Sequence, residues 1–337
     1  MATAAVGVPA TGGVTSPVFQ PGKHQPAEAE IYIDYLPLTM RRGGHLVFAP
    51  TEAGKYPVLV FLHGTDLKNS DYSNLLEHIV SHGFIVVAPQ LYAMTFTTDD
   101  SNDIDNTKKV TNWLADPETG LLQTLKNKLN TENNTPIFPG VEPDLTKLAM
   151  AGHSRGGHTA FATALGLGDA EPELKLSLSA LIGVDPVAGL LDIQMEPKVL
   201  NYEPGSFNLN GMPVLVLGTG ISPQNCAPAC FNHVQFYNEC NPPCYHFVVT
   251  KYGHLDMLDD GANDIVEQLM KCFCQSNKED PKELARRTIG GLVVAFLRAS
   301  LQGDDEDIDA IIKNPGLAPA QLNQPVEYEV DKELTGI

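Results

Sequence analysis

The chain has 337 residues, of which 43% are hydrophobic, so it is long enough for one large domain with a substantial core. Its 22 basic and 41 acidic side chains give a formal net charge of −19, which argues against nucleic-acid binding and against electrostatic docking on an anionic membrane. No apolar run approaches the roughly 20 residues that a membrane-spanning helix requires. Residues 1–16 lack the features of a secretory signal and are predicted to be a flexible N-terminal arm.

From about residue 30 onward, the hydrophobic pattern predicts strands that alternate with helices. Apolar and polar residues alternate over 31–35, and a turn at 41–44 leads into 45–49, which predicts an antiparallel hairpin. Continuous apolar runs predict buried strands, and helical spacing of apolar residues predicts helices. In chain order these are a strand over 58–62, a helix over 72–82, a strand over 84–88, an acidic loop over 92–106, helical pieces between 110 and 129, strands over 147–151, 178–183, 214–217 and 245–250, and a closing helix over 284–301.

This order of elements predicts one α/β domain. Its central sheet is expected to be mostly parallel, with helices on both faces, and to follow the antiparallel N-terminal hairpin. The domain is predicted to cover residues 17–302 and to contain a cysteine-rich insertion at 222–244. Residues 303–337 begin with a run of acidic side chains and are expected to form a loose acidic C-terminal tail.

The cysteines fall into two groups, and their spacing leaves the chemistry open. Four of them follow the pattern C-x3-C-x9-C-x3-C, at Cys226, Cys230, Cys240 and Cys244. This symmetric spacing suits nested disulfides, Cys226 with Cys244 and Cys230 with Cys240. Free thiols and a metal site are the alternatives, although zinc sites more often have C-x2-C pairs. The second group consists of Cys272 and Cys274.

The segment LAMAGHSRGGHTAFATALG, at 148–166, contains a G-x-S-x-G pentapeptide centred on Ser154. A nucleophilic serine in this motif lies on a sharp turn between a strand and a helix. A short apolar strand precedes Ser154 and a helix of small residues follows it, as that turn requires. Gly152 and Gly156 leave room where a side chain would collide with the strand or helix. Ser154 is therefore predicted to be a nucleophile, and the alternative is an ordinary glycine-rich turn of an α/β protein.

The general base of such a serine is a histidine in a loop after the last strand. Among ten histidines, His254 is the one with that placement, because it directly follows the strand predicted over 245–250. The acid is predicted to be Asp185, which follows the strand at 178–183 and preserves the order Ser, Asp, His. Asp192 is the reserve. The acid would hold the histidine in the correct tautomer and stabilise its imidazolium form.

Acyl transfer also requires two backbone N–H groups that bind the developing oxyanion. The residue after the nucleophile supplies one of them, which is Arg155 here. The second should come from the loop after His63-Gly64, so Thr65 is the candidate. These residues therefore predict ester hydrolysis by a serine enzyme, and they do not identify the ester.

Several segments together resemble plant-type chlorophyllases. GHSRGG at 152–157 is similar to the serine-lipase motif of that family, and residues 57–92, with VLVFLHG and LLEHIVSHGFIVVAPQLY, are similar to it as well. GVDPVAG at 183–189, YGHLD at 252–256 and VFQPG at 18–22 extend the resemblance from about residue 17 to about residue 300. G-H-S-x-G-G alone is shared with many esterases, whereas the combination is much more specific.

The resemblance implies an α/β-hydrolase fold and cleavage of the phytyl ester of chlorophyll to chlorophyllide and phytol. Its triad maps onto Ser154, Asp185 and His254, in agreement with the residues chosen above. It implies no metal or other cofactor, chlorophyll or pheophytin as the substrate, no nucleic-acid partner, and a monomer or weak oligomer in peripheral contact with pigment-containing membranes. A plastid or endomembrane location follows from the family, whereas the absence of a clear targeting signal favours the cytosol. The family often has a bulky residue after His63-Gly64, where this chain has Thr65.

A porphyrin and its phytyl chain require an apolar cleft near the carboxyl ends of the strands. The candidate substrate contacts, all apolar or aromatic and near predicted strand ends, are Leu67, Tyr72, Leu91, Tyr92, Met94, Phe96 and Trp113. A general carboxylesterase or lipase acting on other apolar esters is the alternative function that this constellation leaves open. A binding protein built on an inactive hydrolase scaffold is disfavoured, because all three triad residues are present.

Overall fold

The computed structural model describes residues 16–33, 44–91, 97–169, 172–221, 225–261 and 274–330. Within these ranges, a nine-stranded sheet has the order β1-β2-β4-β3-β5-β6-β9-β10-β11, and a separate hairpin consists of β7 and β8. The strands are β1 (Pro26–Ile31), β2 (His45–Pro50), β3 (Gly54–Leu62), β4 (Ile85–Ala88), β5 (Val141–His153), β6 (Ala180–Val184), β7 (Gly189–Leu190), β8 (Ile193–Gln194), β9 (Val214–Thr219), β10 (Cys244–Val249) and β11 (Glu327–Glu329).

The centre of the sheet is parallel and its edges are antiparallel. Strands β4, β3, β5, β6, β9 and β10 pair in parallel. Strand β2 pairs antiparallel with both β1 and β4, and β11 pairs antiparallel with β10. The predicted α/β-hydrolase fold, with its mostly parallel sheet and antiparallel N-terminal hairpin, is therefore confirmed. Because the central strands run in the same direction, their carboxyl ends meet along one edge of the sheet, where open α/β folds place their sites.

Helices cover both faces of this sheet. They are α1 (Ser73–Ser81), α2 (Ser101–Trp113), α3 (Leu121–Asn127), α4 (Arg155–Ala164), α5 (His233–Glu239), α6 (Lys282–Gln302) and α7 (Glu306–Lys313). Side chains of α1, α6 and α7 join one hydrophobic cluster, and those of α2, α3, α4 and α5 join the other. Within the described ranges, none of the helices combines the length and the apolarity that a bilayer crossing requires.

Strand β3 illustrates why the central strands have continuous apolar runs. Its side chains alternate between the two clusters, with Leu59 and Phe61 on one face of the sheet and Val58, Val60 and Leu62 on the other. A strand that is covered on both faces buries every side chain, so it has no polar alternation. Burial of one such side chain stabilises the fold by about 1.5–3 kcal/mol.

Two of the predicted segments differ from the structure in position. The acidic stretch predicted as a loop over 92–106 is helical from Ser101 onward. Ile104 and Val110 pack into the core, and Asp100 and Asp103 form ion pairs with Arg155. The first strand of the hairpin lies at Pro26–Ile31, earlier than the predicted 31–35. Its buried positions are Ala29 and Ile31.

The prediction of a loose tail is wrong for residues 304–330. Helix α7 buries Ile308 and Ile311 against α6, and Arg298 forms an ion pair with Asp307 at 2.7 Å. Farther along, β11 pairs with β10 and covers the edge strand that the sequence predicts to be the last one. An uncovered edge would leave a row of unpaired backbone groups, which explains why an acidic segment nevertheless packs here. Residues 331–337 lie outside the described part of the chain.

The described residues next to the predicted N-terminal arm are anchored. Val18 and Phe19 are fully buried, and the imidazole of His78 donates a hydrogen bond to the carbonyl of Val18 at 2.7 Å. A Cβ atom on Gly291 in α6 would lie 2.2 Å from the ring of Phe19, so only glycine allows this approach. Ser16, which was assigned to the arm, donates to Asp307 at 2.7 Å. The other fifteen residues of that arm are outside the described ranges.

Candidate active site

Ser154 lies on a strained turn between β5 and α4. Its backbone has φ 55° and ψ −123°, a conformation that L-residues rarely adopt. A Cβ atom on Gly152 would lie 2.0 Å from the carbonyl oxygen of Gly156, and one on Gly156 would lie 2.4 Å from the carbonyl oxygen of Leu62. Both motif glycines are therefore required for the close approach of the helix to the strands. This geometry points the Ser154 side chain out of the sheet at the carboxyl end of β5.

Three residues from separate strand ends contact one another here. The hydroxyl of Ser154 lies 2.9 Å from Nε2 of His254, and Nδ1–H of His254 donates to Oδ2 of Asp185 at 2.7 Å. They are far apart in sequence, but the parallel strands β5, β6 and β10 carry them to the same edge of the sheet. All three side chains are buried or nearly so. The arrangement lets His254 accept the serine proton while Asp185 orients the imidazole.

Asp185 is kept ionised by its neighbours. Burial by itself would raise the pKa of this carboxyl, but the hydrogen bond and charge of His254, the charge of His233 and the hydroxyl of Thr219 together lower it to about 2. Thr219 donates twice to Asp185, from its hydroxyl at 2.7 Å and from its backbone N–H at 3.1 Å. Asp185 thus remains a carboxylate throughout the neutral and mildly acidic range. The reserve candidate, Asp192, lies on the exposed turn between β7 and β8, whereas His254 is bonded to Asp185.

The loop that begins at Gly64 approaches the nucleophile closely. A Cβ atom on Gly64 would lie 3.2 Å from Cβ of Ser154. Thr65 follows directly and lines the same cavity as Ser154 and Arg155. Arg155 is the first residue of α4, and the first N–H groups of a helix have no acceptor within the helix. The backbone N–H groups of Thr65, in the Gly64 loop, and of Arg155, in the first turn of α4, therefore lie in the two segments next to Ser154.

Buried polar side chains hold the Gly64 loop in place. The backbone N–H of Gly64 donates to the hydroxyl of Tyr72 at 3.0 Å, and that hydroxyl donates to Nδ1 of His153 at 2.7 Å. Nε2–H of His153 then donates to the carbonyl of His254 at 3.0 Å. Behind the loop, Nδ1–H of His63 donates to the carbonyl of Gly64 at 2.9 Å. One continuous chain of hydrogen bonds thus links the Gly64 loop, the nucleophile turn and the His254 loop.

Removal of the Tyr72 hydroxyl is expected to loosen this chain. In Tyr72→Phe, the N–H of Gly64 and Nδ1 of His153 both lose their partner in a fully buried place. We expect kcat for a small ester to fall about 10- to 100-fold with little change in KM, and unfolding to become easier by about 1–3 kcal/mol. The matched control is Tyr56→Phe, which removes a hydroxyl bonded to the carbonyl of Glu52 outside the site. Equal kcat values for the two variants would contradict this role of Tyr72.

A mostly apolar cavity opens at Ser154. Its lining comes from six segments: Thr65, Leu67, Thr97, Thr98, Ser154, Arg155, Val187, Gly189, Leu190, Met195, Asn225, Cys226, His254 and Leu255. Of the predicted substrate contacts, Leu67 lies in this lining. Tyr92, Met94 and Phe96 are outside the described residues, although the adjoining Thr97 lines the cavity.

Three predicted substrate contacts have other places in the structure. Tyr72 lies beneath the site and uses its hydroxyl for the Gly64 loop, as described above. Leu91 is fully buried in the core on the α4 side of the sheet. Trp113 is buried in the same core, and its indole N–H donates to the carbonyl of Thr119 at 3.0 Å. None of these three side chains is in the cavity lining. Their prediction as substrate contacts is therefore replaced by a role in the core.

Several residues of the site carry no motif by which they could be recognised. Thr219 is the last residue of β9, at the carboxyl edge of the sheet, and that position was the one signal of its contact with Asp185. Val187 follows Asp185 closely in sequence, whereas Met195 and Asn225 come from connections of irregular structure. Such connections have no hydrophobic period, so pattern analysis does not place them beside Ser154.

The cysteines do not form the nested disulfides that their spacing suggests. Cys226 is bonded to Cys274, with 5.7 Å between the Cα atoms, and Cys230, Cys240 and Cys244 are free. Cys240 and Cys244 are buried, and burial raises the pKa of the Cys244 thiol to about 11. Cys226 also lines the cavity, so the disulfide ties one cavity wall to the segment before α6. Cys272 lies outside the described residues.

Comparison with known proteins identifies the family. The chlorophyllase family model matches residues 14–329. The chain is 45% identical to chlorophyllase type 0 of Chenopodium album over 282 residues, which cover 82% of this chain and 77% of that protein. It is 41% identical to chlorophyllase-1 of Arabidopsis thaliana over 298 residues, covering 86% and 85% of the two chains. It is also 40% identical to a chloroplastic chlorophyllase-1 of Citrus unshiu over 291 residues, covering 84% and 80%. On this likeness along most of its length, the chain belongs to the chlorophyllase family.

Proposed function

We propose that this protein hydrolyses the phytyl ester of chlorophyll to chlorophyllide and phytol. The observation that carries the proposal is the contact chain from Ser154 through His254 to Asp185, which opens into an apolar cavity in a member of the chlorophyllase family. The cavity suits an ester whose two sides are both apolar. No step of the proposed reaction requires a metal or another cofactor, because serine, histidine and aspartate supply the nucleophile, the base and the orienting acid.

The reaction proceeds through an acyl-enzyme. His254 takes the proton of Ser154 as the hydroxyl oxygen attacks the ester carbonyl. The backbone N–H groups of Thr65 and Arg155 stabilise the tetrahedral oxyanion, and the N-terminus of α4 adds favourable positive charge there. His254 then protonates the departing phytol oxygen. Water attacks the acyl-enzyme with His254 again acting as the base, and this step releases the chlorophyllide carboxylic acid.

A product assay tests the proposal. Purified protein is incubated with chlorophyll a or with pheophytin a in detergent, and chlorophyllide, pheophorbide and phytol are quantified by chromatography. The same preparation is assayed with p-nitrophenyl butyrate, and Ser154→Ala serves as the blank. We expect the pigment ester to be cleaved with a higher kcat/KM than the small ester. Turnover of the small ester without any pigment cleavage would replace the proposal with a general carboxylesterase.

Fluorophosphonate labelling distinguishes an enzyme from a binding protein on the same scaffold. A serine that is activated by His254 reacts covalently with this probe, and an unactivated serine does not. We expect one label per chain, located by peptide mass spectrometry on the peptide that contains Ser154. A chain that neither reacts with the probe nor hydrolyses any ester would be a binding protein.

We further propose that the protein works in the plastid and as a monomer or weak oligomer. The Citrus unshiu relative is named as a chloroplastic protein, which supports the plastid location. A fluorescent protein fused to the C-terminus leaves the N-terminus free for import. Its distribution in leaf cells, together with the mass of the purified protein by light scattering, tests both statements. Cytosolic fluorescence would overturn the plastid location.

The membrane contact proposed for this protein is best supported at the β7–β8 hairpin. Leu190, Leu191 and Ile193 are 44%, 62% and 59% exposed, and Leu190 lines the cavity together with Gly189 and Met195. Exposed apolar side chains at an entrance stabilise contact with a lipid surface. The formal charge of −19 disfavours anionic lipids, so we propose a bilayer of uncharged or zwitterionic lipids as the partner.

Truncation of the hairpin's apolar tip is expected to weaken this contact. For Leu191→Ser/Ile193→Ser, we expect binding to phosphatidylcholine vesicles in a flotation assay to fall by about 10-fold or more, since burial of each side chain contributes about 1 kcal/mol or more. The matched control is Leu129→Ser, which changes an exposed leucine away from the cavity. The hairpin is not the contact surface if the double variant floats with the vesicles as well as the control does.

A further inference from the structure

The side chain of Arg155 holds one cavity wall. Its guanidinium is buried and contacts the segment 97–103: Nη1–H donates to the carbonyl of Thr97 at 2.5 Å, and Nη2–H to the carbonyl of Asp99 at 3.1 Å. Nε–H donates to Asp100 at 2.9 Å, and Nη2–H also donates to Asp103 at 2.7 Å. The proposed oxyanion contact uses only the backbone N–H of Arg155, so its side chain is not needed for that contact.

Asp100 is the centre of the same cluster. It is fully buried and accepts hydrogen bonds from Arg155, from Nδ1–H of His158 at 2.8 Å and from the hydroxyl of Thr159 at 2.6 Å. These three residues lie at positions i, i+3 and i+4 of α4, so they form one face of that helix. The helix that begins at the nucleophile therefore grips a single carboxylate on the neighbouring segment.

Asp100 also joins two walls of the cavity. Its backbone N–H donates to the carbonyl of Glu196 at 2.6 Å, and the N–H of Glu196 donates to the carbonyl of Thr98 at 2.7 Å. Thr97 and Thr98 line the cavity on one side, and Met195 lines it next to the β7–β8 hairpin. Both walls are thus tied, through one buried carboxylate, to the helix that starts at Ser154. None of these contacts reaches His254 or Asp185, so the cluster takes no part in moving the serine proton.

The charged side chains of this cluster, Arg155, Asp100 and Asp103, are buried and pair with one another. One guanidinium faces two carboxyls, and burial together with the charge of Asp100 raises the pKa of Asp103 to about 8. Asp100 is therefore the anion that pairs with Arg155 at neutral pH. Removal of one partner from a buried ion pair leaves an uncompensated charge, whereas a complete pair holds a defined geometry. The cluster has the properties of a rigid brace.

We propose that Asp100, acting through Arg155, is a positioning residue that sets the selectivity of this site for bulky esters by fixing the cavity walls formed by Thr97, Thr98 and Met195. This inference rests on the proposed ester hydrolysis. A small ester reacts at Ser154 without needing those walls, and a bulky acyl group must be held by them while its carbonyl stays near the nucleophile. Displacement of a substrate by about 1 Å lowers its rate by about 100-fold.

The test compares esters of increasing acyl size. Initial rates are measured for p-nitrophenyl acetate, butyrate, octanoate and palmitate, and for chlorophyll a, with wild type and with Asp100→Asn. We expect kcat/KM for palmitate and chlorophyll a to fall by at least 10-fold relative to acetate, mainly through KM. The p-nitrophenyl series does not depend on pigment cleavage. Failure of the proposed pigment hydrolysis would therefore appear separately, as turnover of the series without turnover of chlorophyll a.

Two milder variants and a control keep the inference testable if Asp100→Asn folds poorly. Thr159→Val removes one hydrogen bond to Asp100, and Asp103→Asn removes the second carboxyl; each is expected to lower the palmitate-to-acetate ratio about 3-fold. The matched control is Glu239→Gln, which alters another buried carboxylate, bonded to Asn201 and Tyr202 outside the cavity. It should lower the melting temperature without changing the ratio. Equal losses for all esters, or an unchanged ratio in all three cluster variants, would overturn the proposal.

Discussion

Replacement of Ser154 by alanine is expected to lower kcat for any ester by a factor on the order of 10⁴ to 10⁶, while the fold is retained. In the proposed mechanism Ser154 supplies the bond-forming oxygen, and its hydroxyl lies 2.9 Å from Nε2 of His254, the proposed base. Without it, only the oxyanion groups and the cavity remain, and these alone give a small residual rate. The measurement is a comparison of initial rates on p-nitrophenyl butyrate and chlorophyll a at equal concentrations of protein.

The fold should tolerate this change because alanine removes one oxygen and adds no atom. The backbone at Ser154 keeps its φ of 55°, so the strain of the turn is the same in both proteins. We expect circular dichroism spectra and melting temperatures close to those of wild type. A serine control is Ser206→Ala, which removes a hydroxyl bonded to Glu239 away from the site and should retain activity. Wild-type rates in Ser154→Ala would show that another residue is the nucleophile.

The second large expected effect is a steep loss of stability in mildly acidic solution. Burial lowers the pKa of His45, His63 and His246 to about 4, and it lowers the pKa of His153 well below its ordinary value. All four side chains are almost completely inaccessible to solvent. In the unfolded chain a histidine has a pKa of about 6.5, so it binds a proton there that it does not bind in the fold. Acid therefore favours the unfolded state.

The sign and size follow from proton linkage. A histidine whose folded pKa is lowered contributes its full stability above about pH 6.5 and loses it as the pH falls toward 4, at about 1.4 kcal/mol per pH unit. The raised pKa of Asp103, about 8, acts in the opposite direction and offsets about one histidine. Asp185, with its pKa lowered to about 2, loses its contribution only below about pH 4. Near pH 5, we expect unfolding to become easier by roughly 4 kcal/mol per pH unit.

Urea unfolding at pH 7, 6, 5.5 and 5 measures this slope. A loss of that size over one or two pH units is a large part of the roughly 5–15 kcal/mol that stabilises a typical domain, so unfolding is expected near pH 5. The variant His45→Asn retains an acceptor for the backbone N–H of Gln90 and cannot be protonated. Its slope should be smaller by about one proton. A free energy of unfolding that stays constant between pH 7 and pH 5 would exclude buried neutral histidines as the cause.

The two effects can be separated in one set of experiments. Loss of activity in Ser154→Ala leaves the melting temperature unchanged, whereas acid unfolding abolishes activity and structure together. Tyr72→Phe is expected to affect both activity and stability, because the Tyr72 hydroxyl bonds the Gly64 loop and is fully buried. Measurements of kcat and of urea midpoints at pH 7 and 6 on wild type, Ser154→Ala and Tyr72→Phe would therefore assign each loss to chemistry or to stability.

The proposed triad residues and the α/β-hydrolase fold could be predicted from the amino-acid sequence because the prediction of each rests on local patterns. A strand buried on both faces requires an uninterrupted apolar run, as in β3, and the turn at Ser154 requires glycine on both sides. Asp185 directly follows β6, and His254 lies in the loop after β10. Because parallel strands end at one edge of the sheet, the order of strands was enough to expect these side chains near Ser154.

Other features needed contacts between distant parts of the chain. The acidic stretch near residue 100 has the composition of a solvated loop, but Arg155, His158 and Thr159 bury Asp100 completely. The acidic C-terminal segment likewise packs, because β11 satisfies the open edge of β10. Composition reports what a segment prefers when it is alone, whereas a partner elsewhere in the chain can outweigh that preference.

The sequence alone predicted the nucleophile turn, since that turn depends on neighbours within a few residues, and it predicted ester cleavage because parallel strands bring the residues that follow them to one edge of the sheet. Only the tertiary structure decided the order of the strands in the sheet, which cysteine pairs with Cys226, where Tyr72 and Trp113 are buried, and which segments wall the cavity. These outcomes depend on distance and direction between side chains that are far apart in sequence. A hydrogen bond requires its two atoms within about 3 Å, and no residue pattern records which distant segment will supply the partner.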